Sequence, residues 1–77
     1  MTTARTWIDR FAEAIGAPSL LDQEIDALLG LAGIAAHASE RTAAPISTWL
    51  AARAGLSPAE GKAAAERLAA ELDAGEH

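Results

Sequence analysis

The chain has 77 residues, which is enough for one domain near the lower size limit for folding alone. A formal net charge of −5 argues against a general affinity for nucleic acid or anionic membranes, and the lack of cysteine excludes disulfides and thiolate metal sites. Alanine and leucine dominate, valine and tyrosine are missing and aromatic residues make up 4%, so the composition favours helices over a sheet.

The sequence predicts a soluble, cytoplasmic protein. Arg5, Asp9 and Arg10 interrupt the N-terminus before any apolar run, which argues against a signal peptide. The longest apolar run, residues 27–36, is shorter than the roughly 20 residues that a membrane-spanning helix needs.

The first predicted helix covers residues 4–15. Thr2 or Thr3 can cap its start, and Gly16 followed by Pro18 ends it. Large apolar side chains recur every four residues along it and form one stripe of the kind that packs against other helices. The stripe consists of Trp7, Phe11 and Ile15.

The second predicted helix covers residues 23–38, with Asp22 as its cap. One face carries Ile25, Leu28, Leu29 and Ala32, and further apolar residues lie elsewhere. A helix that is apolar nearly all round is typical of the centre of a bundle. Its two glycines, at positions 30 and 33, are costly inside a helix, and close helix packing explains them better than a ligand contact does.

The third predicted helix covers residues 45–55 and begins at Pro45, whose backbone is preorganised for the first helical position. Its apolar face consists of Ile46, Trp49, Leu50 and Ala54. Trp49 lies three residues after Ile46 on this face, so we expect it in the core rather than as an exposed anchor.

The fourth predicted helix covers residues 58–74. Ser57 as cap, Pro58 as first residue and Glu60 as third form a capping box with a proline start. Two pairs of opposite charges four residues apart are expected on its solvated face, and these are Lys62–Glu66 and Arg67–Glu71. We therefore predict one all-α domain over residues 1–77, a compact four-helix bundle with short loops.

Metal binding and catalysis have little support. His37 is the only internal histidine, and one histidine makes a poor transition-metal site. Hydroxyl residues lie near it in sequence, but the nucleophile-elbow and glycine-rich phosphate signatures are absent. We predict no catalytic residue, no metal ligand, no cofactor and no enzymatic activity.

The stretch from residue 36 to 49 gathers most of the polar chemistry of an otherwise alanine-rich chain. One interpretation is an anion or partner site, in which His37 and Arg41 share a face and the helix start at Pro45 adds amides and the hydroxyls of Ser47 and Thr48. The other is an ordinary loop, in which Thr42 caps the third helix and Arg41 pairs with Glu40 or a carboxylate of the second helix. The residues alone favour this second interpretation.

Residues 49–68 also have the spacing of a helix-turn-helix. The exposed positions of the second helix would be Ala59, Glu60, Lys62, Ala63, Glu66 and Arg67. Two acids cancel two bases there, and no asparagine or glutamine is present to read adenine, so DNA binding is disfavoured.

The stretch also carries a family resemblance. The matching positions are His37, Arg41, Ala43, Ala44, Pro45, Ser47, Thr48, Trp49 and Leu50. They resemble a small helical domain of high-GC bacteria that occurs alone or as a tail on molybdenum cofactor guanylyltransferase, which makes molybdopterin-guanine dinucleotide. The likeness covers nearly the whole chain, although residues 36–50 carry the distinctive motif.

This resemblance implies a non-enzymatic accessory module of molybdenum cofactor biosynthesis. Its expected partner is the guanylyltransferase or a molybdoenzyme such as a formate dehydrogenase, and its expected contacts are those of His37, Arg41, Pro45, Ser47 and Thr48. An alternative is a small structural subunit or homo-oligomer, in which alanine-rich faces complete a core shared between chains. A helix-turn-helix DNA binder is a further alternative.

Overall fold

The computed structural model describes residues 2–75 and contains four helices. These are α1 (Ala4–Ile15), α2 (Asp22–Ala38), α3 (Ala43–Arg53) and α4 (Pro58–Gly75). The described residues form no strand, and their helices are joined by short loops, so the predicted all-α four-helix bundle is confirmed. Met1, Glu76 and His77, which belong to the predicted domain, lie outside the described residues.

The central helix of the bundle is α2, as its apolar surface predicts. It packs most extensively against α4 and also against α3, and α3 and α4 contact each other less. Within residues 2–75, no Cα atom of α1 lies within 8 Å of another helix. The radius of gyration of 13.7 Å therefore exceeds the roughly 11.5 Å expected for a globular chain of this length.

The position of α1 depends on Arg5. One guanidinium nitrogen, Nη1, lies 3.1 Å from Oδ1 of Asp22, and Nη2 donates a hydrogen bond of 2.8 Å to the carbonyl oxygen of Leu20. Nε donates to Asp9 on the same helix at 3.3 Å. One side chain thus connects the start of α1 to the start of α2.

Several helix ends follow the predicted chemistry. The hydroxyl oxygen of Thr3 accepts a hydrogen bond from the backbone N–H of Thr6 and caps α1. Gly16 ends α1 with a φ of 73°, in the left-handed region that glycine enters without strain. At the start of α4, Ser57 N–H donates to Glu60 and Glu60 N–H donates to the Ser57 hydroxyl, so the capping box is complete.

Two predicted helix starts are wrong in detail. The residue before α2 is Leu21, and its N–H donates to the carboxylate of Glu24 at 2.8 Å; Asp22 is already helical. Helix α3 begins at Ala43, two residues before Pro45, and ends at Arg53. Because the first N–H groups of a helix have no partner within it, proline is tolerated throughout the first turn and marks a helix start only approximately.

The interior of the bundle consists mainly of small residues. Leu31 on α2 is 3% exposed, and Ala12 is the only other buried apolar side chain among the described residues. Trp49 is 68% exposed, so the prediction that it lies in the core is wrong. On α3 the residues with reduced exposure are Ala43, Ala44, Ser47, Thr48 and Ala51. Helix α3 thus turns its small residues towards the other helices and leaves the neighbouring Ile46 and Trp49 exposed. The prediction assumed that the largest side chains of the helix would face the core.

The helical glycines differ in their surroundings. A Cβ atom on Gly61 would lie 3.1 Å from Cβ of Ala51 and 3.3 Å from Cδ2 of Leu31, so this glycine allows close packing of three helices. The predicted close packing also holds at Gly30, which contacts Lys62 of α4. It is wrong at Gly33, where a Cβ atom would meet nothing within 4 Å.

None of the described helices is both long enough and apolar enough to span a lipid bilayer.

Candidate functional site

An open apolar groove of about 370 Å³ runs between α2, α3 and α4. We call it the interhelical groove. Its lining comprises Leu31, Ile34, Ala35, Ala38, Ser39, Ala43, Ser47, Leu50, Ala51, Ala54, Leu56, Gly61, Ala64, Ala65, Leu68, Ala69 and Leu72. Apart from two serines, every lining residue is alanine, leucine, isoleucine or glycine.

The groove exists because the three helices present short side chains to one another. Alanines of α2, α3 and α4 line it, and their short side chains leave space that larger residues would fill. Leu50, Leu68 and Leu72 line it and are each more than half exposed. A contiguous exposed apolar surface of this kind is typical of an interaction site rather than of a free monomer surface.

A second groove lies between α2 and α4 and is more polar. His37, Lys62 and Asp73 line it together with Gly30 and Gly33. Among the described residues, none of these three side chains takes part in an ion pair. One histidine, one lysine and one aspartate thus line the same groove without forming an ion pair with one another.

The structure does not bring His37 and Arg41 onto one helical face. Helix α2 ends at Ala38, and Ser39, with φ −135° and ψ −105°, turns the chain away. Both side chains are exposed, and neither forms a hydrogen bond or an ion pair with a described residue. The imidazole lines the second groove, whereas Arg41 lies in the following turn.

The start of α3 also has less capacity for an anion than its sequence indicates. The N–H groups of Ala43 and Ala44 donate to the carbonyl oxygens of Glu40 and Arg41 at 2.9 and 3.1 Å. Pro45 has no N–H to offer. These backbone contacts replace the side-chain cap predicted from Thr42, which is wrong because the Thr42 side chain makes no capping bond.

The hydroxyl residues of α3 have separate roles. The Thr48 hydroxyl donates a hydrogen bond of 2.8 Å to the carbonyl oxygen of Pro45, within its own helix. Ser47 is half-buried and lines the interhelical groove. The assignment of His37, Arg41, Pro45, Ser47 and Thr48 to a partner or anion site thus stays a prediction, and the structure distributes these residues over more than one surface.

Two of the exposed positions considered for DNA reading are occupied by contacts within the chain. The Glu60 carboxylate accepts the N–H of Ser57, and this hydrogen bond, with a further one from the Ser57 hydroxyl, lowers the pKa of Glu60. The stem of Lys62 lies against Gly30. The predicted charge pairs Lys62–Glu66 and Arg67–Glu71 are not formed.

Metal-ligating side chains are dispersed in the part of the chain that the structure describes. No three histidine, aspartate or glutamate residues of this part lie close enough together to hold an ion. The sequence did not predict the interhelical groove, because its lining residues do not form a recognisable motif. The available signal was the concentration of alanine on the facing sides of three helices.

The fold and the groove define a small all-α domain with an exposed apolar surface between three helices. The chain belongs to the family described as a domain of unknown function (DUF6457), whose model matches residues 1–76. No curated protein and no solved structure matches it.

Proposed function

We propose that the chain is a non-enzymatic interaction module whose interhelical groove receives an amphipathic helix of a protein partner. The observation that carries this proposal is the apolar lining of a groove open to solvent, combined with leucines that stay exposed in the free chain. Helix-in-groove recognition uses this arrangement, in which bulky apolar side chains of the ligand helix enter a hydrophobic trough.

The proposed partner is molybdenum cofactor guanylyltransferase or a molybdoenzyme such as a formate dehydrogenase. The support for this partner class is the resemblance of residues 36–50 to a domain that occurs alone or fused to the guanylyltransferase. Ala38, Ser39, Ala43, Ser47 and Leu50, which belong to that segment, line the groove. The motif and the proposed docking surface therefore overlap.

His37 and Arg41 have a secondary role in the proposal. Both are exposed, and both lie within two residues in sequence of Ser39, which lines the interhelical groove. Exposed charges at the rim of an interface change the association rate and its salt dependence more than the strength of the final complex. We assign them to polar contacts with acidic groups of the partner.

The test is a binding titration of the purified chain against the guanylyltransferase and the formate dehydrogenase of the organism that encodes it. Leu68→Glu places a charge in the groove and should abolish binding. Ala70→Glu adds the same charge at an exposed position on α4 outside the groove lining and should leave binding unchanged. The proposal fails if neither enzyme binds, or if the two variants bind equally well.

A further inference from the structure

Helix α1 carries an exposed apolar face that lies apart from the other described helices. The face consists of Trp7, Phe11 and Ile15, here called the α1 stripe, and each of these side chains is more than half exposed. The rings of Trp7 and Phe11 stack with their centroids 6.2 Å apart. Among residues 2–75, no Cα atom of α1 lies within 8 Å of another helix. A ridge of large apolar side chains and an open apolar groove thus belong to the same chain.

We propose that α1 is a lid on the interhelical groove of its own chain. The structure shows the open position, in which the groove is free. In the closed position α1 folds back along α2, and the α1 stripe covers the groove. This inference rests on the proposed function, because the lid regulates the groove that receives the partner helix: the partner enters only after α1 has left.

The α1 stripe and the groove match in length and in chemistry. From Trp7 to Ile15 the stripe is roughly 12 Å long, and the α4 side of the groove, from Gly61 to Leu72, is roughly 17 Å long at 1.5 Å per residue. Large side chains at four-residue spacing form a ridge, which fits a trough lined by alanines. Closure removes apolar surface of both from water, which is the main driving force for packing helices together.

The linker between α1 and α2 is long enough for closure within one chain. Residues 16–21 form neither helix nor strand, and six extended residues span roughly 20 Å. On α2 the groove begins at Leu31, about 14 Å along the helix axis from Asp22. Two packed helices lie about 8–10 Å apart, so Ile15 reaches the level of Leu31 if the linker spans about 17 Å. Phe11 and Trp7 then extend along the groove towards Ala38.

The contacts that hold α1 in its open position are weak enough to be exchanged. Nη1 of Arg5 pairs with Asp22 at 3.1 Å, and Nη2 donates to the carbonyl oxygen of Leu20 at 2.8 Å. The Asp22 side chain is almost fully exposed, and solvent screens an ion pair in such a position. Closure breaks these contacts and covers the α1 stripe. A partner helix that binds only the open groove shifts the balance back to the open position.

Paramagnetic relaxation enhancement in the full chain tests closure without any partner. The chain has no cysteine, so Thr2→Cys provides a single site for a nitroxide label just before α1. In the open position Arg5 lies at Asp22, and the label broadens amide signals at the start of α2. In the closed position the label reaches the far end of the groove, and amide signals near Ala38 and Leu72 should broaden as well. Broadening that is confined to the start of α2 overturns the proposal.

Variants of the labelled chain show whether the stripe and the groove cause the far-end broadening. Phe11→Glu places a charge on the stripe and Leu68→Glu places one in the groove, so each should abolish it. Both side chains are exposed in the open position, so circular dichroism should show unchanged helix content. Thr6→Glu on α1 and Ala70→Glu on α4 add the same charge outside the stripe and the groove lining and should retain the broadening. Equal loss in variants and controls contradicts the lid.

A mixed sample separates closure within one chain from contact between copies. Spin-labelled chains that lack the nitrogen isotope are mixed with isotope-labelled chains that lack the spin label, so only contacts between copies broaden signals. No far-end broadening is expected in this mixture. Broadening as strong as that in the singly labelled chain assigns the contact to a second copy and overturns the proposal.

Partner binding tests the regulatory consequence of the lid. The apparent affinity falls with the fraction of chains whose groove is closed, so Phe11→Glu should bind the enzyme partner about two-fold more tightly or better if half or more of the wild-type chains are closed. Equal binding of wild type and Phe11→Glu contradicts a lid that controls the groove. If neither enzyme binds either chain, the proposed function fails, while the broadening pattern still decides whether α1 closes.

Discussion

The side chain of Lys62 on α4 lies across α2 at Gly30. A Cβ atom on Gly30 would be 2.9 Å from Cε and 3.1 Å from Cδ of Lys62. The aliphatic stem of the lysine thus covers the gap that the glycine leaves, while the side chain as a whole remains exposed. This contact is one point at which α2 and α4, the most extensively packed pair of helices, meet.

Replacing this glycine should stabilise the protein. Gly30→Ala is expected to raise the free energy of unfolding by about 0.5–1 kcal/mol, because alanine is the better helix former and the flexible end of Lys62 can rotate away. Gly33→Ala is the matched control, since its Cβ meets nothing within 4 Å, and it should give a similar gain. Urea denaturation measures both. If only Gly33→Ala is stabilising, the Lys62 stem is fixed in place.

Gly61→Ala should have the opposite effect. Its Cβ would lie 3.1 Å from Ala51 Cβ, an atom attached directly to the backbone of α3, so relief requires a helix to move rather than a side chain to rotate. Overpacking typically costs about 1–3 kcal/mol, which exceeds the gain in helix propensity. A net loss of about 1–2 kcal/mol is expected. Equal or higher stability of Gly61→Ala in the same denaturation experiment would show that α3 and α4 are not closely packed here.

The contacts of Arg5 with Asp9, Asp22 and Leu20, here called the Arg5 anchor, should control α1 locally rather than the stability of the whole chain. Its ion pairs are exposed, and pairs of this kind contribute roughly 0.2–1 kcal/mol. Arg5→Ala should therefore lower the free energy of unfolding by less than about 1 kcal/mol. Amide hydrogen exchange in α1 should accelerate, while exchange in α2 should not. Arg10→Ala removes a charge from the same helix without touching the anchor, and unchanged α1 exchange is expected for it.

The capping box at the start of α4 predicts a pH effect. Hydrogen bonds from Ser57 hold the pKa of Glu60 below its usual value of 4.5, the backbone N–H contributing most and the hydroxyl less. A depressed pKa means that the ionised form stabilises the fold above the ordinary value, and that this stabilisation is lost as the pH falls through the lowered pKa. NMR titration of Glu60 should show a midpoint below 4.5.

Variants at this box separate the two contributions. Ser57→Ala keeps the backbone N–H, so the Glu60 pKa should rise only part of the way to its usual value, and the lost cap should cost about 1 kcal/mol. Glu60→Gln cannot ionise and should remove this part of the pH dependence. A Glu60 midpoint that is the same in wild type and Ser57→Ala would contradict a role for the hydroxyl.

The residues whose effects are local could be placed from the sequence. Thr3, Gly16 and the Ser57–Glu60 box act on their own helix ends, where side-chain chemistry and backbone geometry suffice. Which face of each helix is buried could not be predicted, because this depends on which other helix each face contacts. Trp7, Phe11 and Ile15 have clear four-residue spacing, yet no Cα atom of α1 lies within 8 Å of another helix among the described residues. The spacing therefore identifies an apolar face without showing what it packs against.

In the candidate site, too, local features could be predicted from the sequence and the packing of helices could not. The sequence identified His37 and Arg41 by their four-residue spacing, but Ser39 ends the helix between them, so the spacing no longer defines a face. The interhelical groove is built from alanines and leucines, which are common in any helical protein. Its position depends on where three helices meet near Gly61. This meeting brings together residues that are far apart in sequence, so a short motif cannot predict it.

Trp49 gives the most direct test of which side of α3 faces the bundle. It is 68% exposed and does not line the interhelical groove, so Trp49→Ala should lower the free energy of unfolding by less than about 1 kcal/mol. A buried tryptophan replaced by alanine typically costs 3–5 kcal/mol. Leu31→Ala, at the position that is 3% exposed, is the comparison and should cost about 2–5 kcal/mol. If Trp49→Ala proves as costly as Leu31→Ala, the indole is covered in solution and α3 is rotated towards its large-residue face.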